Sequence, residues 1–305
     1  MRTVRAVPEL RAALRGPRRA GARIGLVPTM GALHAGHLSL IDRARGECDL
    51  VVVSLFVNPA QFAAGEDLDA YPRDEARDAA LAAGHGADLL FAPAMEEVYP
   101  ERFSTTVAIA GPLTETLEGA RRGPGHFGGV ATMVTKLLNM ATPDAAYFGQ
   151  KDAQQAVVIR RLVSDLDLGV EVVVCATVRE PDGLALSSRN AYLGPADRAR
   201  AVGLWHGLQA AEAAVSAGER DPQAVAELGR AAMAEHDVEP EYLEVVDPET
   251  LGPLEAIEPG AEALVVVAAT VGPARLIDNT TVRAPAAVAA AATTLTAVPE
   301  APCSG

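Results

Sequence analysis

The feature that most constrains the fold is a regular alternation between short apolar runs and amphipathic stretches from residue 24 to about residue 176. The apolar runs predict buried strands at residues 24–28, 50–57, 88–92, 145–149 and 171–176. The helical spacing predicts helices near residues 37–46, 73–83, 127–141 and 152–166. Strands separated by helices form right-handed βαβ units, whose strands are parallel. The sequence therefore predicts an α/β fold built on a parallel sheet with helices on both faces.

The pattern changes after residue 178. Two Ala-rich helical stretches, about 195–217 and 221–236, precede three predicted strands at 242–246, 263–270 and 274–279. Beyond residue 284 the chain consists of Ala, Thr and Pro with few charges, which is typical of a disordered segment. The sequence therefore predicts a first domain over 1–177, a smaller α+β C-terminal domain over 178–284, and a disordered Ala/Pro-rich tail over 285–305.

Composition excludes several classes of partner. The chain of 305 residues has a net charge of −14, and an acidic surface repels the phosphate backbone of nucleic acids. No apolar run approaches the roughly 20 residues of a membrane helix. Cys48, Cys175 and Cys303 show neither metal-site spacing nor a disulfide framework. We therefore expect a cytoplasmic protein with no nucleic-acid or membrane partner and no protein metal site.

The strongest local signal is Val-Pro-Thr-Met-Gly-Ala-Leu-His-Ala-Gly-His at residues 27–37, after the first predicted strand. A helix is expected to begin near Gly36, where free backbone N–H groups attract phosphate and a missing side chain lets a nucleotide approach. His34 and His37 can donate hydrogen bonds to phosphate oxygens as negative charge builds up. A zinc pair is the alternative. Helical zinc sites of the His-Glu-x-x-His type, however, need a glutamate and a spacing of four, and neither is present.

Polar side chains also follow two other predicted strands. Asn58 and Gln61 offer uncharged amides to the hydroxyl and carboxylate groups of a small substrate, although such residues often only form turns. Lys151 offers a mobile positive charge for phosphates. Asp152 can accept from ribose hydroxyls, and it is also a suitable helix N-cap.

A third polar cluster, Ser187-Ser188-Arg189, offers two hydroxyls and a guanidinium fork that match phosphate oxygens. For three such residues alone, a solvated loop is the competing interpretation.

Five motifs occur together in one order. They are Pro-Thr-Met-Gly-x-Leu-His-x-Gly-His at 28–37, Phe-Val-Asn-Pro-x-Gln-Phe at 56–62, Gly-His-Phe-x-Gly-Val at 125–130, Phe-Gly-Gln-Lys-Asp-x-Gln-Gln at 148–155 and Leu-Ser-Ser-Arg-Asn at 186–190. The first contains the His-x-Gly-His signature of the nucleotidylyltransferases and class I aminoacyl-tRNA synthetases. Over about residues 24–280, the set resembles the pantothenate synthetase family. The resemblance implies a Rossmann-like nucleotide-binding domain and a smaller domain that closes over the nucleotide.

The resemblance also implies a reaction. Members of this family are ATP-dependent ligases that join pantoate to β-alanine through a pantoyl-adenylate intermediate and release pyrophosphate and AMP. ATP would be a substrate, Mg²⁺ would arrive on the nucleotide, and the protein would be a homodimer. Two alternatives stay open: another nucleotidylyltransferase that acts on a phosphate substrate, or a non-catalytic nucleotide-binding protein.

The resemblance assigns residues to each ligand. The expected ATP contacts lie in three segments and are Met30, Gly31, Ala32, Leu33, His34, Ala35, Gly36, His37, Gly149, Gln150, Lys151, Asp152, Val178, Leu186, Ser187, Ser188 and Arg189. Gln61 and Gln155 are expected to bind pantoate, and Asn58, Gln61 and Arg122 to bind β-alanine. The expected catalytic residues are His34, His37, Lys151, Ser187, Ser188 and Arg189. His37 is also the candidate proton donor. Arg122 departs from the family pattern, because Gly123 adds one residue before the following Pro-Gly-His-Phe.

Overall fold

Six parallel strands form the larger sheet of the computed structural model, which describes residues 1–62, 68 and 71–286. The strands are β1 (Arg2–Val4), β2 (Ile24–Thr29), β3 (Leu50–Leu55), β4 (Leu89–Phe91), β5 (Ala145–Gly149) and β6 (Glu171–Cys175). They lie in the order β1-β4-β3-β2-β5-β6, and every neighbouring pair is parallel. The predicted parallel sheet is therefore confirmed, with one strand more than the sequence indicated.

Helices cover both faces of this sheet, as predicted. They are α1 (Val7–Arg19), α2 (Ala35–Glu47), α3 (Glu75–Gly84), α4 (Met95–Val98), α5 (Pro112–Glu115), α6 (Glu118–Arg122), α7 (Pro124–Ala141) and α8 (Ala153–Asp165). Successive strand residues point to opposite faces. Leu26 accordingly packs with α1, α7 and α8 on one face, whereas Val27 packs with α2 and α3 on the other.

The strand that the sequence did not indicate is β1. It has three residues, of which Val4 alone is buried, and it pairs with β4 at the edge of the sheet. So short a strand contains no full alternation of apolar and polar residues, so its pattern could not be separated from the start of α1.

The smaller unit is α+β, as predicted. It contains α9 (Pro195–Ala201), α10 (Gly203–Ser216), α11 (Pro222–Ala234), β7 (Tyr242–Val246), β8 (Glu262–Val271) and β9 (Ala274–Arg283). The three strands form an antiparallel sheet in the order β7-β8-β9. The single helix expected over 195–217 is wrong, because it is interrupted at Val202 and forms α9 and α10.

Two expectations concern the C-terminal tail and membrane-spanning helices. Most of the tail predicted over 285–305 lies outside the described residues, since 287–305 are not among them. Within the described residues, no helix combines the length and apolar character needed to cross a membrane.

A charged network joins the two units. Arg275 on β9 donates two hydrogen bonds of 2.8 Å to Glu118 on α6, and its Nε donates to Glu241 at 2.9 Å. Tyr242 donates its hydroxyl to Glu118 at 2.8 Å. Burial, and then the neighbouring Glu118, raise the pKa of Tyr242, so the phenol stays protonated and remains a donor. The Glu118 side chain is 12% exposed, so these partners offset the cost of burying it.

Replacing Arg275 tests this network. We expect Arg275→Met to lower the free energy of unfolding by about 3 kcal/mol, because it leaves a buried carboxylate without its cation. Adding Glu118→Gln should recover part of the loss, as measured by urea denaturation at pH 7. The control is Arg283→Met, also on β9, whose partner Glu262 is exposed. It should cost less than about 1 kcal/mol, and equal losses in the two single variants would contradict the buried network.

Candidate active site

A cleft lies at the carboxyl ends of the parallel strands, where open α/β sheets bind ligands. Its lining brings together residues from all five sequence motifs. The polar members among them are Thr29, His34, His37, Asn58, Gln61, His126, Lys151, Asp152, Gln155, Ser187, Ser188 and Arg189. Arg122 and Thr177, which lie outside the motifs, also line the cleft. The motifs are therefore distant in sequence and adjacent in space.

The two histidines cap the N-terminus of α2. His34 is the N-cap residue, and its Nδ1 accepts a hydrogen bond of 3.1 Å from the Gly36 amide. Nδ1 of His37 accepts from the His34 amide at 3.4 Å, so the pair forms a capping box from imidazole nitrogens. Because Nδ1 of each ring accepts, the proton of each neutral ring is on Nε2.

Burial keeps both imidazoles neutral. It is the main cause that lowers the pKa of His37 to about 3, and the second cause is His34, whose ring centroid is 4.1 Å away. The pKa of His34 is also lowered, mainly by burial and then by the charge of Lys151. At pH 7 the site therefore presents two neutral Nε2–H donors at a helix N-terminus, an arrangement suited to phosphate oxygens.

Gly36 has a steric role that the sequence did not reveal. A Cβ atom at this position would lie 2.9 Å from Cε1 and 3.0 Å from Nδ1 of His34. The absence of a side chain therefore keeps the His34 ring in its capping position.

The loop before α2 depends on a buried carboxylate that sequence reasoning missed. Asp78 on α3 is 1% exposed and accepts hydrogen bonds of 2.8 Å from the amides of Ala32 and Leu33. Ala32 has a φ of 52° and Gly31 a φ of 94°, so the loop needs this anchor to hold two left-handed residues. The available signal was an acidic residue on the apolar stripe of α3, four residues before the buried Ala82.

Several residues that were expected to contact ATP are not among those that line the cleft. These residues are Gly31, Ala32, Leu33, Ala35 and Gln150. Leu33 is fully buried in the core, and the amides of Ala32 and Leu33 already donate to Asp78. An ATP contact by these residues stays a prediction.

Asn58 uses its whole amide within the protein. Its Oδ1 accepts from the Ala60 amide at 3.2 Å and from the Tyr99 hydroxyl at 2.8 Å. Its Nδ2 donates to Gln61 Oε1 and to the Gly129 carbonyl, both at 3.1 Å. These four bonds fill the capacity of the amide and favour positioning of Gln61 over the expected direct contact with β-alanine, which no observation tests.

Arg122 lies in the cleft despite the additional glycine. Gly123 has a φ of 83° and forms the turn between α6 and α7. Arg122 donates to Nε2 of His126 at 3.0 Å, and Nδ1 of His126 donates to the Gln61 carbonyl at 2.7 Å. His126, to which the sequence assigned no ligand, therefore connects the two predicted substrate residues.

The segment after β5 divides its polar residues between two directions. Gln155 lines the cleft, whereas the buried Gln154 accepts from the Glu118 amide and donates to the carbonyls of Leu113 and Thr116. Asp152 occupies the N-cap position of α8 without a side-chain capping bond.

The carboxylate of Asp152 lies 3.7 Å from Lys151 Nζ and opposes the lowering of the pKa of both histidines. It is the one carboxylate among the described residues that line the cleft. Over all the residues that the structure describes, no group of three or more His, Cys, Asp or Glu residues is arranged to hold a metal ion.

The last segment enters the cleft through a short hairpin. The Leu186 amide donates to the Val178 carbonyl at 3.0 Å, and both residues line the cleft. Ser187 accepts from the Arg189 amide at 3.3 Å and begins a 3₁₀ turn over Ser188–Tyr192. The cluster is thus an ordered turn and not a solvated loop.

Known proteins resemble this chain over most of its length. The family model described as pantoate-beta-alanine ligase matches residues 2–281. A pantothenate synthetase from Thioalkalivibrio sulfidiphilus is 54% identical over 288 residues, which are 93% of this chain and 99% of the relative. The chain belongs to the pantoate–β-alanine ligase family.

Solved structures of the pantoate–β-alanine ligase family agree with this assignment. The pantothenate synthetase of Thermus thermophilus aligns with a TM-score of 0.86 at 52% identity, over 92% of this chain and 99% of that one. The ligase of Francisella tularensis, solved with beta-gamma ATP and beta-alanine, aligns with a TM-score of 0.75 at 32% identity, over 92% and 97%. The predicted family and fold class are confirmed.

The steric role of Gly36 can be tested with a matched pair in α2. We expect Gly36→Ala to lower turnover by on the order of 10²-fold, because the added methyl group displaces a charge-stabilising imidazole. Gly46→Ala adds the same methyl group to exposed space on the same helix. It should keep full turnover and raise stability by about 0.5–1 kcal/mol. Turnover is measured by pantoate-dependent ATP–pyrophosphate exchange. Similar turnover in both variants would show that Gly36 is not needed to position His34.

The low pKa of His37 predicts a pH dependence of stability. The unfolded histidine binds a proton near pH 6.5, whereas the folded one does so near pH 3. As the pH falls through this window, the unfolded state gains a proton that the folded state does not, so stability is lost at up to about 1.4 kcal/mol per pH unit. Chemical denaturation of His37→Asn should give a shallower decline than the wild type between pH 6 and pH 4.5. Parallel curves would show that His37 titrates normally in the folded protein.

Proposed function

We propose that this chain catalyses the ATP-dependent condensation of pantoate with β-alanine to pantothenate. The observation that carries the proposal is the pair of neutral Nε2–H donors of His34 and His37 beside Lys151, at a helix N-terminus. Such a site stabilises the negative charge that develops on the phosphates when a nucleophile attacks ATP. Family membership supports pantoate as that nucleophile.

The first step forms pantoyl adenylate. A carboxylate oxygen of pantoate bonds to the α-phosphorus of ATP, and the bond from that phosphorus to the bridging oxygen breaks, which releases pyrophosphate. We assign His34, His37, Lys151, Ser188 and Arg189 to phosphate stabilisation, together with the hydroxyl of Ser187. Mg²⁺ would arrive on the nucleotide as part of the substrate, and Asp152 is the cleft residue whose oxygens suit it.

The second step forms the amide. The amine of β-alanine attacks the acyl carbon of the mixed anhydride, loses a proton, and expels AMP. Gln61 and Gln155 are assigned to pantoate, and Gln61 with Arg122 to β-alanine, whose carboxylate suits a guanidinium partner. The structure of the Francisella relative complexed with beta-gamma ATP and beta-alanine supports both ligands.

Other features remain proposals of the same kind. We assign residues 1–177 to nucleotide and pantoate binding and residues 178–284 to a domain that closes over the nucleotide. The homodimer and the cytoplasmic location expected from the sequence stay predictions.

Pantoate-dependent ATP–pyrophosphate exchange, measured with Mg²⁺ and without β-alanine, tests the reaction. A ligase that forms an adenylate first should return labelled pyrophosphate into ATP when pantoate alone is supplied. A nucleotidylyltransferase that acts on a phosphate substrate should not respond to pantoate, and a binding protein should exchange nothing. Folded, ATP-binding protein without pantoate-stimulated exchange would overturn the proposal.

The same assay tests the pantoate residues. Gln155→Ala should raise the pantoate KM roughly 2- to 150-fold, since a lost substrate hydrogen bond costs about 0.5–3 kcal/mol. Gln61→Ala should act in the same direction. Gln209→Ala, which removes an exposed glutamine of α10, is the matched control and should change nothing. An unaltered pantoate KM in both cleft variants would keep the reaction and reject these binding residues.

A further inference from the structure

Strand β9 of the second unit contacts both segments to which phosphate binding is assigned. Its residues Asp278 and Asn279 are buried, with 4% and 3% exposure. Neither belongs to the five motifs, and neither is expected to touch a substrate. Two adjacent buried polar side chains need partners, because unsatisfied polar groups in the interior are costly.

Asn279 holds the turn that carries Lys151. Its Nδ2 donates hydrogen bonds of 2.9 Å to the carbonyls of Gln150 and Lys151. Its Oδ1 accepts from Gln150 Nε2 at 3.1 Å. The Lys151 side chain continues from this turn into the cleft, where its charge lowers the pKa of His34. An amide of the second unit thus fixes the backbone from which Lys151 reaches the cleft.

Asp278 holds the other segment through Arg179. Two nitrogens of the guanidinium donate to the carboxylate, at 2.5 and 3.0 Å. Arg179 also donates to the Gly183 carbonyl at 3.1 Å and lies 4.0 Å from the ring centroid of Trp205. A bidentate pair of this kind fixes the orientation of the guanidinium as well as its position.

Arg179 belongs to the hairpin that leads to Ser187. Arg179 forms a β-bridge with Ala185. The neighbouring pair of the hairpin is joined by a hydrogen bond from the Leu186 amide to the Val178 carbonyl. The Asn190 side chain donates to the Ala185 carbonyl at 3.0 Å, which joins the hairpin to the following turn. These hydrogen bonds therefore fix the Ser187–Arg189 turn relative to Arg179.

Successive residues of a strand point to opposite faces, so one strand can serve two partners. Asp278 pairs with Val267, which packs in the core of the second unit, whereas Asn279 pairs with Val266, which packs against α8. Asp278 and Asn279 are adjacent in the chain, so one peptide bond connects the contact with Arg179 to the contact with the Lys151 turn. The Arg179 guanidinium also donates to the Asn279 carbonyl at 3.3 Å.

We propose that Asp278 and Asn279 are positioning residues that set the placement of Lys151 relative to the Ser187–Arg189 turn. This inference rests on the proposed function for its catalytic consequence. The two phosphate-binding segments follow the neighbouring strands β5 and β6, whose pairing ends at Gly149 and Cys175. Beyond that pairing, the adjacent residues Asp278 and Asn279 hold both segments, which orients the donors before the charge develops.

The first test is the Asn279→Ala variant. We expect the KM for ATP in pantoate-dependent exchange to rise by on the order of 10-fold, with the pantoate KM changed less than about 2-fold, because a displaced Lys151 weakens phosphate contacts. Asn279→Asp should be more severe, since it places a carboxylate against two carbonyl oxygens. The control Val265→Ala removes a buried side chain from the core of the same sheet and should lower Tm while leaving both KM values unchanged.

A double-mutant cycle separates positioning from general stability. If Asn279 acts through Lys151, the Asn279→Ala change should have less than about a 2-fold effect on kcat/KM for ATP in a Lys151→Ala background. Asp278→Asn combined with Arg189→Ala should show the same non-additivity. Full additivity in both cycles, or an ATP KM that follows Tm in every variant including Val265→Ala, would overturn the proposal.

Calorimetric binding of ATP with Mg²⁺, in the absence of pantoate, keeps the two proposals distinguishable. Wild-type protein that binds ATP but shows no pantoate-dependent exchange would reject the proposed reaction. In that case, weaker ATP binding by Asn279→Ala than by Val265→Ala would still support the positioning role, whereas equal ATP binding by the two variants would reject it.

Discussion

The structure of the site depends on one constraint, which is that the first turn of α2 exposes backbone N–H groups with no partner inside the helix. His34 and His37 satisfy two backbone amides with Nδ1, one at the first turn and one at the cap itself. This leaves both Nε2–H groups available in the cleft. Asp78 holds the preceding loop, and Gly36 leaves room for the His34 ring. The helix cap uses Nδ1 of each imidazole, and the proposed phosphate contacts would use Nε2 of the same rings.

The fold was predictable from sequence to the extent that it follows from short-range periodicity. The strands at 145–149 and 242–246 have the predicted limits, because the first is a short apolar run between polar residues and the second alternates buried Leu243 and Val245 with the exposed Glu244. β1 was not predictable, since three residues contain no periodicity and its partner strand β4 is distant in sequence, with Arg2 opposite Leu89. The interruption at Val202 was equally invisible, because the apolar spacing continues across it.

The residues that line the cleft were predictable where polar side chains follow strand ends, but that rule does not separate side chains that face the cleft from side chains that hold other residues. Asn58 has the chemistry of a substrate ligand, yet its four hydrogen bonds are internal. Asp78, Asp278 and Asn279 lie far in sequence from the groups that they hold, and their partners are mostly backbone atoms. A backbone partner leaves no trace in residue identity, so only the three-dimensional structure reveals it.

The charge distribution explains how a chain with a net charge of −14 can hold a polyphosphate. Two acidic residues near the cleft are paired with arginines, Glu118 with Arg275 and Asp278 with Arg179. Asp152 is then left as the one carboxylate in the described lining, beside Lys151. Because the histidines are neutral, the local positive potential comes from Lys151, Arg122 and Arg189 together with the α2 dipole. The Arg275–Glu118 pair, which joins the two units, therefore also removes negative charge that would otherwise repel ATP. The Arg179–Asp278 pair does the same from within the second unit.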